Sequence, residues 1–165
     1  MMSLNTEHQQ GFTYLLLLIV LTVMSVFLLK SREGQEMSFR AQQESELLFR
    51  GEQIRSAIAS YREKSGVSGC FPVSFEQLLI DKRGLTPSYH LRQFYPDPLT
   101  GKKTWGMIYD AKGRWIGVYS LGTGIPRRKS GFLSDSEKFK KATRYRDWAF
   151  QVEGDPLAPL PTVCR

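Results

Sequence analysis

Histidine, cysteine and early proline are scarce in this 165-residue chain, and each shortage removes a class of function. The two histidines are His8 and His90, the two cysteines are Cys70 and Cys164, and no Cys-x-x-Cys occurs. The donor sets that hold zinc are therefore missing. No Gly-x-Ser-x-Gly elbow offers a nucleophile, so the chain reads as a non-enzyme without cofactor. Proline is absent from Met1 to Phe71, Lys and Arg are absent from Met1 to Gln10, and no charge stands between Phe12 and Leu29. The missing basic n-region, together with Lys30-Ser31-Arg32-Glu33 where a small-x-small site belongs, argues against a cleavable secretory signal. No internal repeat or low-complexity segment is present.

The uncharged run from Phe12 to Leu29 is long enough to cross a bilayer. Eighteen residues at ~1.5 Å each give ~27 Å, and only Thr13, Tyr14, Thr22 and Ser25 break its apolar character. It reads as a retained membrane helix. The helical signal continues beyond it: Leu47, Gly51, Ile54, Ile58 and Tyr61 recur at helical spacing, with Arg50, Glu52, Arg55 and Arg62 off the stripe. Glu46 and Arg50 form a supportive helical pair. Gly34 and Gly51 each cost roughly 1 kcal/mol against alanine. One helix of ~80 Å is expected from about Phe12 to Lys64, ending at Ser65-Gly66.

The junction before that run is specific. A short polar leader, then Gly11-Phe12-Thr13, then an unbroken apolar helix resembles the processing site of type IV pilins and type II secretion pseudopilins. The resemblance implies cutting by a prepilin peptidase between Gly11 and Phe12, methylation of Phe12, and assembly through the exposed helix. It departs from the family at Leu16, where major subunits usually carry Glu, and at Glu7 and His8, where Lys or Arg is common. A carboxylate in lipid is retained for a partner, so Leu16 points to a minor or accessory member. The Lys/Arg count after the helix (Lys30, Arg32, Arg40, Arg50, Arg55) favours a cytoplasmic C-terminal domain by the positive-inside rule. The resemblance implies the reverse and takes precedence because its motif is the more specific signal. The expected location is the bacterial inner membrane, single-pass, with a periplasmic C-terminal domain.

The expected division is a prepilin leader over 1–11, a transmembrane helix over 12–29, the periplasmic half of the long helix over 30–65 and a pilin-like domain over 66–165. The fold class is α+β, a long helix packed on a small antiparallel sheet. Ser74-Phe75-Glu76-Gln77 reads as a capping box opening a short helix. Tyr95-Pro96-Asp97-Pro98-Leu99-Thr100-Gly101 reads as a turn rather than an Asp97–Thr100 reactive pair. Thr104–Tyr109 and Arg114–Leu121 flank Asp110-Ala111-Lys112-Gly113 as a hairpin. Gly122-Thr123-Gly124 lacks the lysine of a phosphate loop and reads as a turn. Ser134–Thr143 reads as a basic helix, Asp147–Val152 as a third strand, and Trp105, Trp115 and Trp148 as core.

Cys70 and Cys164 can pair or remain thiols; the resemblance, in which a C-terminal disulfide pins the tail, favours the bridge. Its loop stabilises by up to about 4.6 kcal/mol in the chain-entropy model. Some major pseudopilins bind calcium in the loop after the hairpin. Here Pro126-Arg127-Arg128-Lys129 replaces the carboxylates, and Asp81, Asp97 and Asp110 remain as a weak alternative set, so no metal is expected. Net charge is +7, and Arg127, Arg128, Lys129, Lys138, Lys140, Lys141, Arg144 and Arg146 face only Asp135 and Glu137 in their stretch. They form a candidate interaction surface or a solvated helix face. The implied partners are other pilin or pseudopilin subunits, the prepilin peptidase, and a secretion or pilus assembly platform. The alternatives are an unprocessed, membrane-anchored binding module, and a DNA-uptake pilin that uses the basic residues with Tyr145 and Trp148 stacking on bases.

Overall fold

The stripe from Leu47 to Tyr61 is the surface on which the C-terminal part of the molecule is built. The computed structural model describes residues 9–63, 69–132 and 136–164. The chain divides into two compact units, Met1–Arg40 and Ala41–Arg165. Residues 1–8 of the expected 1–11 leader, the helix end expected at Lys64 and the start of the basic helix at Ser134 lie outside the described residues, and the last three leader residues already belong to the helix expected to begin at Phe12.

Helix α1 is Gln9–Glu63. In the first unit, Gly11–Lys30 is a 20-residue stretch of mean hydropathy 2.6, long and apolar enough to cross a membrane. Its side chains are exposed throughout. The Thr22 hydroxyl donates to the Ile19 carbonyl at 2.8 Å and Ser25 to Leu21 at 2.7 Å. Both hydroxyls are thus satisfied within the helix, as apolar surroundings require.

In the second unit, Leu47, Gly51, Ile54, Ile58 and Tyr61 are buried, while Arg50, Glu52, Arg55 and Arg62 stand half-buried beside them. Arg50 Nε donates to Glu46 at 3.0 Å. Gly51 has a packing reason. A Cβ there would lie 2.3 Å from the Phe150 ring, so the glycine lets a strand residue approach the helix backbone.

The expected hairpin forms as β1, Gly106–Tyr109, and β2, Trp115–Tyr119. Gly113 closes its turn at φ +74. Asp110 Oδ1 organises that turn by accepting from the backbone N–H groups of Lys112 and Arg114, both at 2.9 Å. The third strand is shorter than expected. β3 is Phe150–Gln151, because Asp147 belongs to a 3₁₀ turn, Tyr145–Asp147. The antiparallel sheet has the order β1-β2-β3, with β2 at its centre. Helix α2 is Phe75–Leu79 and α3 is Ser136–Lys140, and the fold is α+β.

One expected local device is absent. Ser74 occupies the N-cap of α2 without a side-chain cap bond. Gln77 Oε1 accepts instead from the Val73 N–H at 3.0 Å and the Tyr61 hydroxyl at 3.1 Å. The capping box is therefore replaced by a link between α2 and α1. Trp105, Trp115 and Trp148 are all in the core. Cys70 and Cys164 are joined in a disulfide that fastens the tail to the segment following α1.

Candidate functional site

Gly11 and Phe12 lie in the helical start of α1, and Phe12 is 67% exposed. A Cβ on Gly11 would meet nothing within 4 Å. The fold imposes no steric demand for glycine there. Leu16, four residues after Phe12, is exposed like its neighbours.

The eight basic residues differ in what they engage. The Arg127 and Arg128 backbone N–H groups donate to the Glu44 carboxylate at 2.8 and 3.0 Å, and the Tyr145 hydroxyl donates to it at 2.8 Å. Glu44 is buried on α1, so the loop after the hairpin is organised by a carboxylate from the helix. The Arg128 guanidinium donates to the Ser130 and Gly131 carbonyls, and Lys129 Nζ to the Ala142 carbonyl. Lys138, Lys140 and Lys141 are exposed around α3, and Arg144 and Arg146 are exposed at the 3₁₀ turn. Beneath this segment lies an aromatic cluster. Trp148 has its ring 5.6 to 5.9 Å from those of Phe132, Phe139 and Tyr145. Both rings invoked for base stacking are therefore corrected to core residues. Tyr145 and Trp148 are buried and offer no face to a nucleotide.

Asp97 does form the expected turn, accepting from the Leu99 N–H at 3.0 Å. It does more, because the carboxylate is fully buried and also accepts from the Ser120 hydroxyl at 2.9 Å and the Leu121 N–H at 3.0 Å. One side chain thereby fastens the loop to the end of β2.

A third network links elements that no sequence spacing associates. The His90 ring bridges the Ser60 hydroxyl, 2.9 Å from Nδ1, and Asp81 Oδ2, 3.1 Å from Nε2. This is the connectivity of a nucleophile, base and orienting carboxylate. Its surroundings favour cohesion over catalysis. Ser60 stands inside α1, where backbone N–H groups are committed to the helix and cannot serve as oxyanion donors. Asp81 is also gripped by Arg83, whose Nε and Nη2 donate at 2.9 and 2.8 Å and whose Nη2 reaches the Tyr61 carbonyl.

The Arg83 hydrogen bonds hold the Asp81 carboxyl well below the usual carboxylate range against the opposing effect of burial, with His90 assisting. A depressed folded pKa stabilises above the unfolded pKa, ~3.9, and that stability is lost as pH falls toward the folded value. The thermal midpoint of the full chain in detergent is therefore expected to fall below about pH 4. Asp81→Asn should lower the midpoint at neutral pH and flatten its acid limb; an unchanged acid limb would assign the loss to other groups.

Among the described residues, no group of three or more His, Cys, Asp or Glu side chains is placed to hold a metal ion. Of the features outside the sequence reading, Glu44 left a trace, lying three residues before Leu47 on the buried stripe, whereas the His90 network left none. No protein-family model matches the chain, and neither does any curated protein or solved structure.

Proposed function

We propose that the chain is a pseudopilin or minor type IV pilin-like subunit, cut by a prepilin peptidase and assembled into an inner-membrane-based filament that supports protein secretion or pilus biogenesis. The observation carrying this reading is the Gly11-Phe12 junction at the head of a membrane-length apolar stretch, in a helix that continues into a disulfide-closed α+β unit. A glycine that nothing in the fold requires fits a demand made by an external peptidase. The exposed apolar stretch would exchange lipid for neighbouring helices by close packing. Leu16 in place of a carboxylate favours an accessory position. The C-terminal unit would face the periplasm, where the disulfide persists.

The test is the intact mass of the membrane-extracted protein, produced with and without an active prepilin peptidase. The expected result is a peptidase-dependent N-terminus at methylated Phe12, abolished by Gly11→Leu. An unchanged Met1 beside a control pilin that is cut would overturn processing, leaving a membrane-anchored binding module as the surviving reading.

A further inference from the structure

A cleft of about 600 Å³ opens where β2 ends, between residues 119–125 and the 3₁₀ turn. Its apolar wall includes Leu121 and Ile125, which are 46% and 70% exposed. Its polar wall carries Arg144 and Arg146, both exposed, with the Arg146 guanidinium 5.8 Å from the centre of the Tyr119 ring. No carboxylate lines it. Two carboxylates stand behind its wall and are already engaged: Asp97 is fully buried and held by Ser120 and Leu121, and Asp147 Oδ2 accepts from the backbone N–H groups of Thr143 and Arg144 at 2.9 and 2.8 Å, with the Arg144 charge acting on it. Neither guanidinium forms a salt bridge among the described residues.

A second feature points the same way. Past Leu121 and Gly122, whose N–H groups are taken by Asp97 and Ser120, the main-chain groups of Thr123, Gly124 and Ile125 make no hydrogen bond among the described residues. The cleft therefore combines exposed backbone donors and acceptors that no other described part of the chain engages, exposed aliphatic side chains and two exposed guanidinium groups. Extended peptides bind by main-chain hydrogen bonds and side-chain pockets, and guanidinium groups match carboxylates in planar pairs.

We propose that this cleft binds an acidic, aliphatic segment of a partner protein in extended conformation, its backbone along 123–125 and its carboxylates on Arg144 and Arg146. The inference does not depend on cutting at Gly11. A nucleic acid would also meet the arginines, but the aliphatic wall and the burial of Tyr145 and Trp148 favour a peptide.

The test is fluorescence anisotropy on the full chain in detergent micelles. The probe is a fluorescein-labelled hexapeptide alternating leucine and glutamate, with the leucine–glutamine version as control. Saturable binding of the acidic probe is expected. The double variant Arg144→Ala/Arg146→Ala should weaken it about tenfold, at roughly half of that on a logarithmic scale for each exposed pair. Its thermal midpoint should stay unchanged because both side chains are exposed. Ile125→Asp should weaken binding further by adding a like charge. Absence of saturable binding, equal binding of the glutamine peptide, or undiminished binding by the folded double variant would each overturn the proposal. So would displacement of the probe by a single-stranded oligonucleotide at lower concentration than by unlabelled peptide.

Discussion

Glu44→Ala is expected to destabilise the Ala41–Arg165 unit by about 3 kcal/mol, a fall of roughly 10 °C in thermal midpoint. The side chain is buried on α1 and accepts three hydrogen bonds from residues more than eighty positions away. Truncation strips acceptors from the Arg127 and Arg128 N–H groups and the Tyr145 hydroxyl at once. An unsatisfied buried donor costs about 1–3 kcal/mol, and water entering the vacated space recovers part of that. Glu44→Gln keeps the volume and one acceptor oxygen but turns an amide toward a donor, so its cost should be intermediate. Tyr145→Phe removes one donor and should cost about 1 kcal/mol. The combined Glu44→Ala/Tyr145→Phe variant should be less unstable than the sum, because both changes remove the same hydrogen bond. Strict additivity in that cycle would show that the two groups do not act together.

The second large effect is expected from Cys70→Ala/Cys164→Ala. The bridge spans 94 positions, and removing a native disulfide of this kind costs about 2–5 kcal/mol. The tail is not held by sulfur alone. Arg62 pairs with Asp155 at 3.1 Å, Arg114 Nη1 donates to the Ala158 carbonyl at 2.8 Å, and Lys112 Nζ reaches the Pro156 carbonyl. The variant should therefore remain folded at 25 °C with a lowered midpoint, and hydrogen exchange should rise first between Ala158 and Cys164. Uniform acceleration across the β-sheet would mean that the tail contributes to the core rather than closing over it. Reductant alone should act slowly on the native protein, since both cysteines are buried.

The parts of the fold that were legible are those governed by a short period. Leu47 to Tyr61 announced a buried helical face because burial on a helix repeats every three or four residues. The Asp110–Gly113 turn announced a hairpin because few residues tolerate its backbone. The capping box failed because Gln77 had two spatial donors, Tyr61 and Val73, competing for the oxygen a cap requires. In the basic stretch the charges and the aromatic residues part company. Lys138, Lys140, Lys141, Arg144 and Arg146 are exposed, as their charge indicates, while Phe139, Tyr145 and Trp148 alternate with them and point inward, which removes the two rings from any stacking role. Asp97 was legible as a turn residue and illegible as a buried anchor for β2, since Ser120 and Leu121 are joined to it only by the fold. The membrane-length run and the Gly11-Phe12 junction needed no tertiary structure to be seen.

The Glu44 anchor also sets a schedule for synthesis. Its phenolic donor, Tyr145, follows it by 101 residues, and Cys164 follows Cys70 by 94. At roughly 5–20 residues per second, ribosomes need on the order of 5–20 s to bring Tyr145 within reach of a helix already made. Until Phe150 is made, the stripe at Gly51 lacks the strand residue that packs on it. The nascent chain therefore emerges with its longest element complete and its core open, a window in which a chaperone binding extended apolar segments would compete with β3 for the same surface.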